Sequence, residues 1–127
     1  MSQLIMVIDD HEDTRTLFNV LLSEEGYRVK CCSEPLVPHG GIRSTKPDLL
    51  IVDQLFAHDR RGWDLIQQLK SDPATTRVPV ILCVYPSPAL DELNQELNAQ
   101  KIEVVLKPFD IDDMLEAIKK ALNTCKI

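Results

Sequence analysis

Four ionisable residues stand where short apolar runs of this sequence end. Asp9 and Asp10 follow the run Leu4–Ile8, Asp53 follows Leu49–Val52, and Lys107 follows Val104–Leu106. Three carboxylates gathered in one place repel each other unless a proton or a cation intervenes. An all-oxygen set of this kind suits Mg²⁺, which takes one or two carboxylates, several waters and a phosphate oxygen. A carboxylate beside such an ion can attack phosphorus and become an aspartyl-phosphate. A lysine opposite then neutralises the phosphoryl oxygens. In the simpler reading each acid only caps the helix that follows it. That reading does not explain why the pair, the single Asp and the Lys all fall at the ends of apolar runs.

The elements that must position these residues are legible in the pattern. The runs Leu4–Ile8, Val29–Cys31, Leu49–Val52, Val80–Val84 and Val104–Leu106 are rich in β-branched residues, and several are nearly continuous. Strands read this way when helices cover both faces of a parallel sheet. Helical stretches alternate with them. Thr14–Glu25 carries Leu17, Phe18, Leu21 and Leu22 on one stripe, with Gly26 placed to end it. Trp63–Lys70 turns Leu65, Ile66 and Leu69 inward, and Ala89–Ala99 does so with Leu90, Leu93 and Leu97. Ile111–Leu122 offers Ile111, Met114, Leu115, Ile118 and Leu122, with Asp110 as N-cap and Lys119 and Lys120 near the C-terminal dipole. The stretch Ser33–Lys46 holds Pro35, Pro38, Gly40 and Gly41, so the second helix is expected to be short or degenerate. The order βαβαβαβαβα predicts an α/β fold, a doubly wound five-stranded parallel sheet in the flavodoxin-like order 2-1-3-4-5. Strands 1 and 3 are then neighbours at the switch point, where ligands of such sheets bind.

Composition narrows the function classes. The chain has 127 residues, 44% of them hydrophobic, and is expected to form one domain over 1–127. Its 20 Asp and Glu against 14 Lys and Arg leave a net charge of −6, which argues against a nucleic-acid binder. Asp59-Arg60-Arg61 is too little basic surface to change that. No apolar run approaches the roughly 20 residues needed to span a bilayer, and the opening Met1-Ser2-Gln3 has no basic leader. A soluble, cytoplasmic protein is expected. The four cysteines include no CxxC pair and no zinc spacing with histidine. Cys83 reads as a core residue, and Cys125 as the one that could be an exposed thiol.

Four ordered motifs carry a resemblance that covers essentially the whole chain. They are Ile5-Met6-Val7-Ile8-Asp9-Asp10, Pro47-Asp48-Leu49-Leu50-Ile51-Val52-Asp53, Val78-Pro79-Val80-Ile81-Leu82 and Lys107-Pro108-Phe109. Together they resemble the response regulator receiver domain of two-component signalling. The resemblance implies that Asp53 is the phosphoacceptor and that Asp10 is a direct Mg²⁺ ligand, with Asp9 acting largely through water. It implies that the Leu55 carbonyl completes the protein ligands, that Lys107 pairs with the phosphoryl group, and that the Lys107–Pro108 peptide is cis. The donor would be a phosphohistidine on a sensor histidine kinase or a histidine phosphotransfer protein, met around the crevice and the first helix. The output would pass through contacts with a downstream protein whose identity the sequence does not give, with neither nucleic acid nor membrane involved. Such a chain is a signalling receiver and not an enzyme in its own right, although it assists its own phosphotransfer and slow dephosphorylation.

The sequence departs from the family where the signal is read out. The family's hydroxyl at the end of strand 4 aligns with Val84, and its aromatic in strand 5 with Val104. The next position, small in the family, is Tyr85, which would narrow access to Asp53; Ser87 is a weak substitute for the missing hydroxyl. Gly62 lies nine positions after Asp53, one more than the family pattern, and the loop's usual Met-Pro reads Phe56-Ala57. Gln100-Lys101 stands near the place of the usual Gly-Ala before strand 5. These changes motivate an alternative, a pseudo-receiver that works as a phosphorylation-independent interaction module. A phosphatase of the haloacid-dehalogenase type would want an Asp where Leu55 stands. His11 and His58 read as solvated loop histidines, Trp63 as helix packing, and Asp91, Glu92 and Glu96 as a solvated helix face.

Overall fold

The computed structural model describes residues 3–9, 11–32, 39–53, 61–85, 88–100 and 102–124. Its elements alternate along the chain: β1 (Leu4–Ile8), α1 (Glu12–Glu24), β2 (Arg28–Cys32), α2 (His39–Thr45), β3 (Leu49–Asp53), α3 (Arg61–Ser71), β4 (Val80–Val84), α4 (Pro88–Ala99), β5 (Ile102–Leu106) and α5 (Ile111–Thr124). All strand pairs are parallel, and the order β2-β1-β3-β4-β5 is the one expected.

Alternation along the strands splits the core in two. Ile5, Val7, Leu49, Ile51, Ile81 and Cys83 face α1 and α5, where they meet Phe18, Leu22, Met114, Ile118 and Leu122. Met6, Ile8, Leu50, Val52, Leu82 and Val84 face the other way, against Ile42, Ile66, Leu69 and Leu97 of α2, α3 and α4. Burial on both faces is why β1, β3 and β4 read as continuous apolar runs. Cys83 is fully buried, as a core residue should be.

Helix ends follow local chemistry. Gly26 takes φ +90° after α1; its N–H bonds the Ser23 carbonyl and the Tyr27 N–H bonds that of Leu22. These two bonds are a Schellman closure, which needs a left-handed residue at this position. At the other end α1 begins two residues earlier than expected, because Glu12 and Asp13 favour the positive end of the helix dipole. The short α2 has seven residues, in keeping with the poor helix content of its stretch, and stops at Lys46 (φ 54°) before Pro47.

Some expectations need correction. Leu17, placed on the inward stripe of α1, is 50% exposed, and Ile111 on α5 is also exposed. Both sit on the margin of a stripe whose centre is Phe18 and Leu22 in α1, and Met114, Ile118 and Leu122 in α5. Because α5 runs on to Thr124, Lys119 and Lys120 are not in its last turn. β5 begins at Ile102 and not at Val104; Ile102 is buried, and Glu103 had broken the apolar run. The inward placement of Leu65, Leu90 and Leu93 falls on side chains outside the described ones.

Candidate functional site

The carboxyl ends of β1, β3, β4 and β5 form one edge of the sheet. Ile8 pairs with Val52, so the residues that follow, Asp9 and Asp53, occupy adjacent positions on neighbouring strands. Asp53 pairs with Cys83, and Val84 with Leu106, which puts Lys107 on the same edge. Two strand spacings, about 10 Å, separate β3 from β5. Asp9 and Lys107 are thus described in full, together with the backbone of Asp53; the Asp53 side chain, Asp10 and Leu55 lie outside the described residues.

Asp9 is 1% exposed although it carries an ionisable carboxyl. Its amide still donates to the Cys32 carbonyl at 3.0 Å, so the strand geometry persists through it. Oδ1 accepts the His11 N–H at 2.8 Å, and His11 Nδ1 lies 3.3 Å from the same oxygen. Oδ2 is buried as well and takes no hydrogen bond from the described residues. The Asp9 carbonyl accepts from Arg15 Nη1 at 2.8 Å. Arg15 is the residue that sequence reasoning missed. A cation in the first turns of a helix opposes the dipole, and that misplacement was the available signal. In the structure it is answered by a helix that reaches back to clamp the end of β1.

His11 is exposed, as a loop histidine should be, but it is also the N-cap of α1 and the neighbour of Asp9. The opposite half of the edge is apolar. Val84, at the hydroxyl position, is buried, and Val104 is half-buried against the same core. Tyr85 is 58% exposed, and Lys107 Nζ lies over its ring, 5.6 Å from the centroid. The Lys107 amide donates to the Val84 carbonyl at 2.8 Å, and the Lys107–Pro108 peptide is cis, as the resemblance implied. Among the described residues no group of three His, Cys, Asp or Glu is placed to hold a metal ion.

The remaining candidates separate cleanly. Gln100 exchanges a reciprocal pair of amide hydrogen bonds with Gln67, at 2.8 and 3.0 Å, which ties α3 to the start of β5. Cys31 and Cys32 are half-buried, and burial pushes both thiols up. For Cys31 the neighbouring Cys32 adds to this, Arg15 opposes it, and Asp9 adds a further rise. Phe56, Ala57, His58, Ser87 and Cys125 lie outside the described residues, as does the side chain of Trp63. No described helix is long and apolar enough to cross a membrane.

The family described as the response regulator receiver domain matches residues 5–119. The chain is 28% identical over 122 residues to sporulation initiation phosphotransferase F of Bacillus subtilis (strain 168), covering 96% of this chain and 95% of that protein. It is also 28% identical over 127 residues to the response regulator PleD of Caulobacter vibrioides (strain NA1000 / CB15N), all of this chain but 27% of PleD. A two-component response regulator from Clostridium difficile shares the fold at a TM-score of 0.81 and 21% identity, over 99% of this chain and 100% of that one.

Proposed function

The chain belongs to the response regulator receiver domain family of two-component signalling, and on that premise we propose that it accepts a phosphoryl group on Asp53. A carboxylate oxygen of Asp53 bonds to phosphorus as the P–N bond of a partner's phosphohistidine breaks, and the departing imidazole takes up a proton. Water later cleaves the acyl phosphate and restores the carboxylate. Residues 1–127 act as one signalling unit, whose part in this chemistry is to supply the nucleophile and the charges around it.

The observation that carries the proposal is the buried carboxyl of Asp9 beside the strand position of Asp53, with Lys107 on the same edge. A buried carboxylate is costly unless a cation or hydrogen bonds compensate it. Receiver domains generally use Mg²⁺ for phosphorylation, and the oxygen-only donor set of Asp9, Asp10, Asp53 and the Leu55 carbonyl suits that ion. When bound, Mg²⁺ supplies a charge that balances the carboxylates and the incoming phosphoryl oxygens. Arg15 and His11 hold Asp9 in place from the backbone and side-chain sides respectively. Lys107 meets phosphoryl charge from the β5 side. Sensor histidine kinases or histidine phosphotransfer proteins are the donors, and a downstream protein reads the result.

A second reading is favoured by Val84, which presents a buried apolar side chain where a hydroxyl would bond the phosphoryl group. A pseudo-receiver would keep the fold and act through unmodified surfaces. Intact-mass measurement after incubation with acetyl phosphate, with and without Mg²⁺, separates the two. A metal-dependent gain of one phosphoryl group, absent in Asp53→Asn, supports the phosphoacceptor. No gain, with no Mg²⁺ binding in titration, supports the pseudo-receiver.

A further inference from the structure

Arg15 holds the chain on both sides of Asp10. Its amide donates to the His11 carbonyl at 3.1 Å, and its Nη1 donates to the Asp9 carbonyl at 2.8 Å. The first bond is the opening turn of α1, whose N-cap is His11. The second comes from a side chain and is not needed to form a helix. Asp9 Oδ1 accepts the His11 N–H at 2.8 Å, so the same short segment is also tied across itself. Arg15 is anchored in turn to β2, where Cys31 Sγ donates to its carbonyl at 3.5 Å. The Asp9 carbonyl belongs to the same planar peptide unit as the Asp10 nitrogen, so orienting the one orients the other.

On charge alone a guanidinium beside a divalent-cation site is a disadvantage, because like charges repel. What Arg15 can contribute is geometry. Mg²⁺ demands a near-ideal octahedron of oxygens at roughly 2.0–2.1 Å, whereas Ca²⁺ accepts irregular arrangements at roughly 2.3–2.6 Å. A slack backbone under a ligating carboxylate therefore costs Mg²⁺ more than it costs Ca²⁺. We propose that Arg15 is a positioning residue that sets the preference of the site for Mg²⁺ over Ca²⁺, by holding the two carbonyls that flank Asp10. This rests on the reading of Asp10 as a direct metal ligand, and extends it to what discriminates between ions.

The test is NMR titration of the full chain with Mg²⁺ and, separately, with Ca²⁺, at constant ionic strength. Loss of the Arg15 charge acts on both ions alike, so the ratio of the two affinities isolates the geometric effect. Arg15→Met should lower Mg²⁺ affinity by roughly 10-fold, the scale of a lost contact behind a metal ligand, and Ca²⁺ affinity by less. Arg15→Lys keeps a donor and should recover part of the preference. If Arg15→Met does not fold, the neutral variant Arg15→Gln takes its place, with the same fall in ratio expected. An unchanged ratio in the folded variant overturns the proposal, whether both affinities fall, rise or stay. A parent chain that binds neither ion marks the failure of the metal-site reading, and the preference falls with it. A parent that binds both ions, with the ratio kept in the variant, fails the proposal alone.

Discussion

The two halves of the sheet's carboxyl edge are built on opposite principles. At the end of β1, Asp9 is sealed from water and held through two sets of bonds, from His11 on its carboxylate and from Arg15 on its carbonyl. At the ends of β4 and β5 the side chains are Val84, buried without a polar atom, and Tyr85, exposed and met by Lys107 over its ring. One half is a buried, hydrogen-bonded polar pocket, costly to build and suited to holding charge. The other is an apolar strand end with a loose aromatic contact at the surface. On the phosphoacceptor reading, the first half carries the chemistry and the second the readout, so the two can be tested separately.

Three substitutions and one labelling measurement test that division. The largest effect should come from Asp53→Asn, which removes the proposed nucleophile. The metal-dependent mass gain should disappear completely while far-ultraviolet circular dichroism stays unchanged. Retained labelling would place the chemistry elsewhere. Next is Val84→Thr on the readout side. A hydroxyl here adds a hydrogen bond to a charged group, about 1.5–3 kcal/mol, or roughly 10- to 150-fold in a two-state equilibrium. Chemical-shift changes on adding beryllofluoride should grow accordingly, and identical changes in parent and variant would show that the hydroxyl is not what limits the response.

Smaller effects are expected on the polar side. Arg15→Met keeps much of the side chain's bulk but removes the donor to the Asp9 carbonyl. Because Arg15 is half-exposed, a loss of about 1 kcal/mol is expected in urea denaturation. The His11 amide, bonded to Asp9, should also exchange hydrogen faster; unchanged exchange would show that the clamp is not rigid. The smallest concerns Cys31 and Cys32. Their thiols are raised by burial, so less thiolate is present at a given pH, and both should alkylate more slowly than a free thiol at pH 8. The difference should shrink as pH rises past their raised values, and labelling as fast as a free thiol would contradict it.

What was legible in the sequence follows from how local each feature is. β1, β3 and β4 were plain because both faces are buried, so their apolar residues are contiguous in the chain. The start of β5 was hidden because Glu103 interrupts a strand that is only partly buried and lies at the sheet's edge. Leu17 misled because helical periodicity marks a stripe without fixing its margin, and only packing against the sheet decides which flank faces water. Asp9 was legible as a strand-end acid, but its burial was not, since that depends on His11 and Arg15 folding back over it. The meeting of Tyr85 with Lys107 joins residues far apart in the chain, and only the pairing of Val84 with Leu106 brings them together.

The register also bears on how the molecule assembles. No two neighbouring strands are joined by a hairpin, so each pairing must wait for a loop to close around a helix. The shortest closures bring Leu4 to Arg28 and Val80 to Ile102; the longest brings Ile5 to Leu49. Loop-closure entropy makes the last of these costlier than the first by about 0.5 kcal/mol before any contact repays it. On loop closure alone, β1-α1-β2 and β4-α4-β5 are the cheaper units to form, and the seam between β1 and β3 is expected to close after them. That seam sets Asp9 beside Asp53, so the crevice is expected to come together only once it closes. On the phosphoacceptor reading, a chain in which that seam is still open has no place to hold the phosphoryl group.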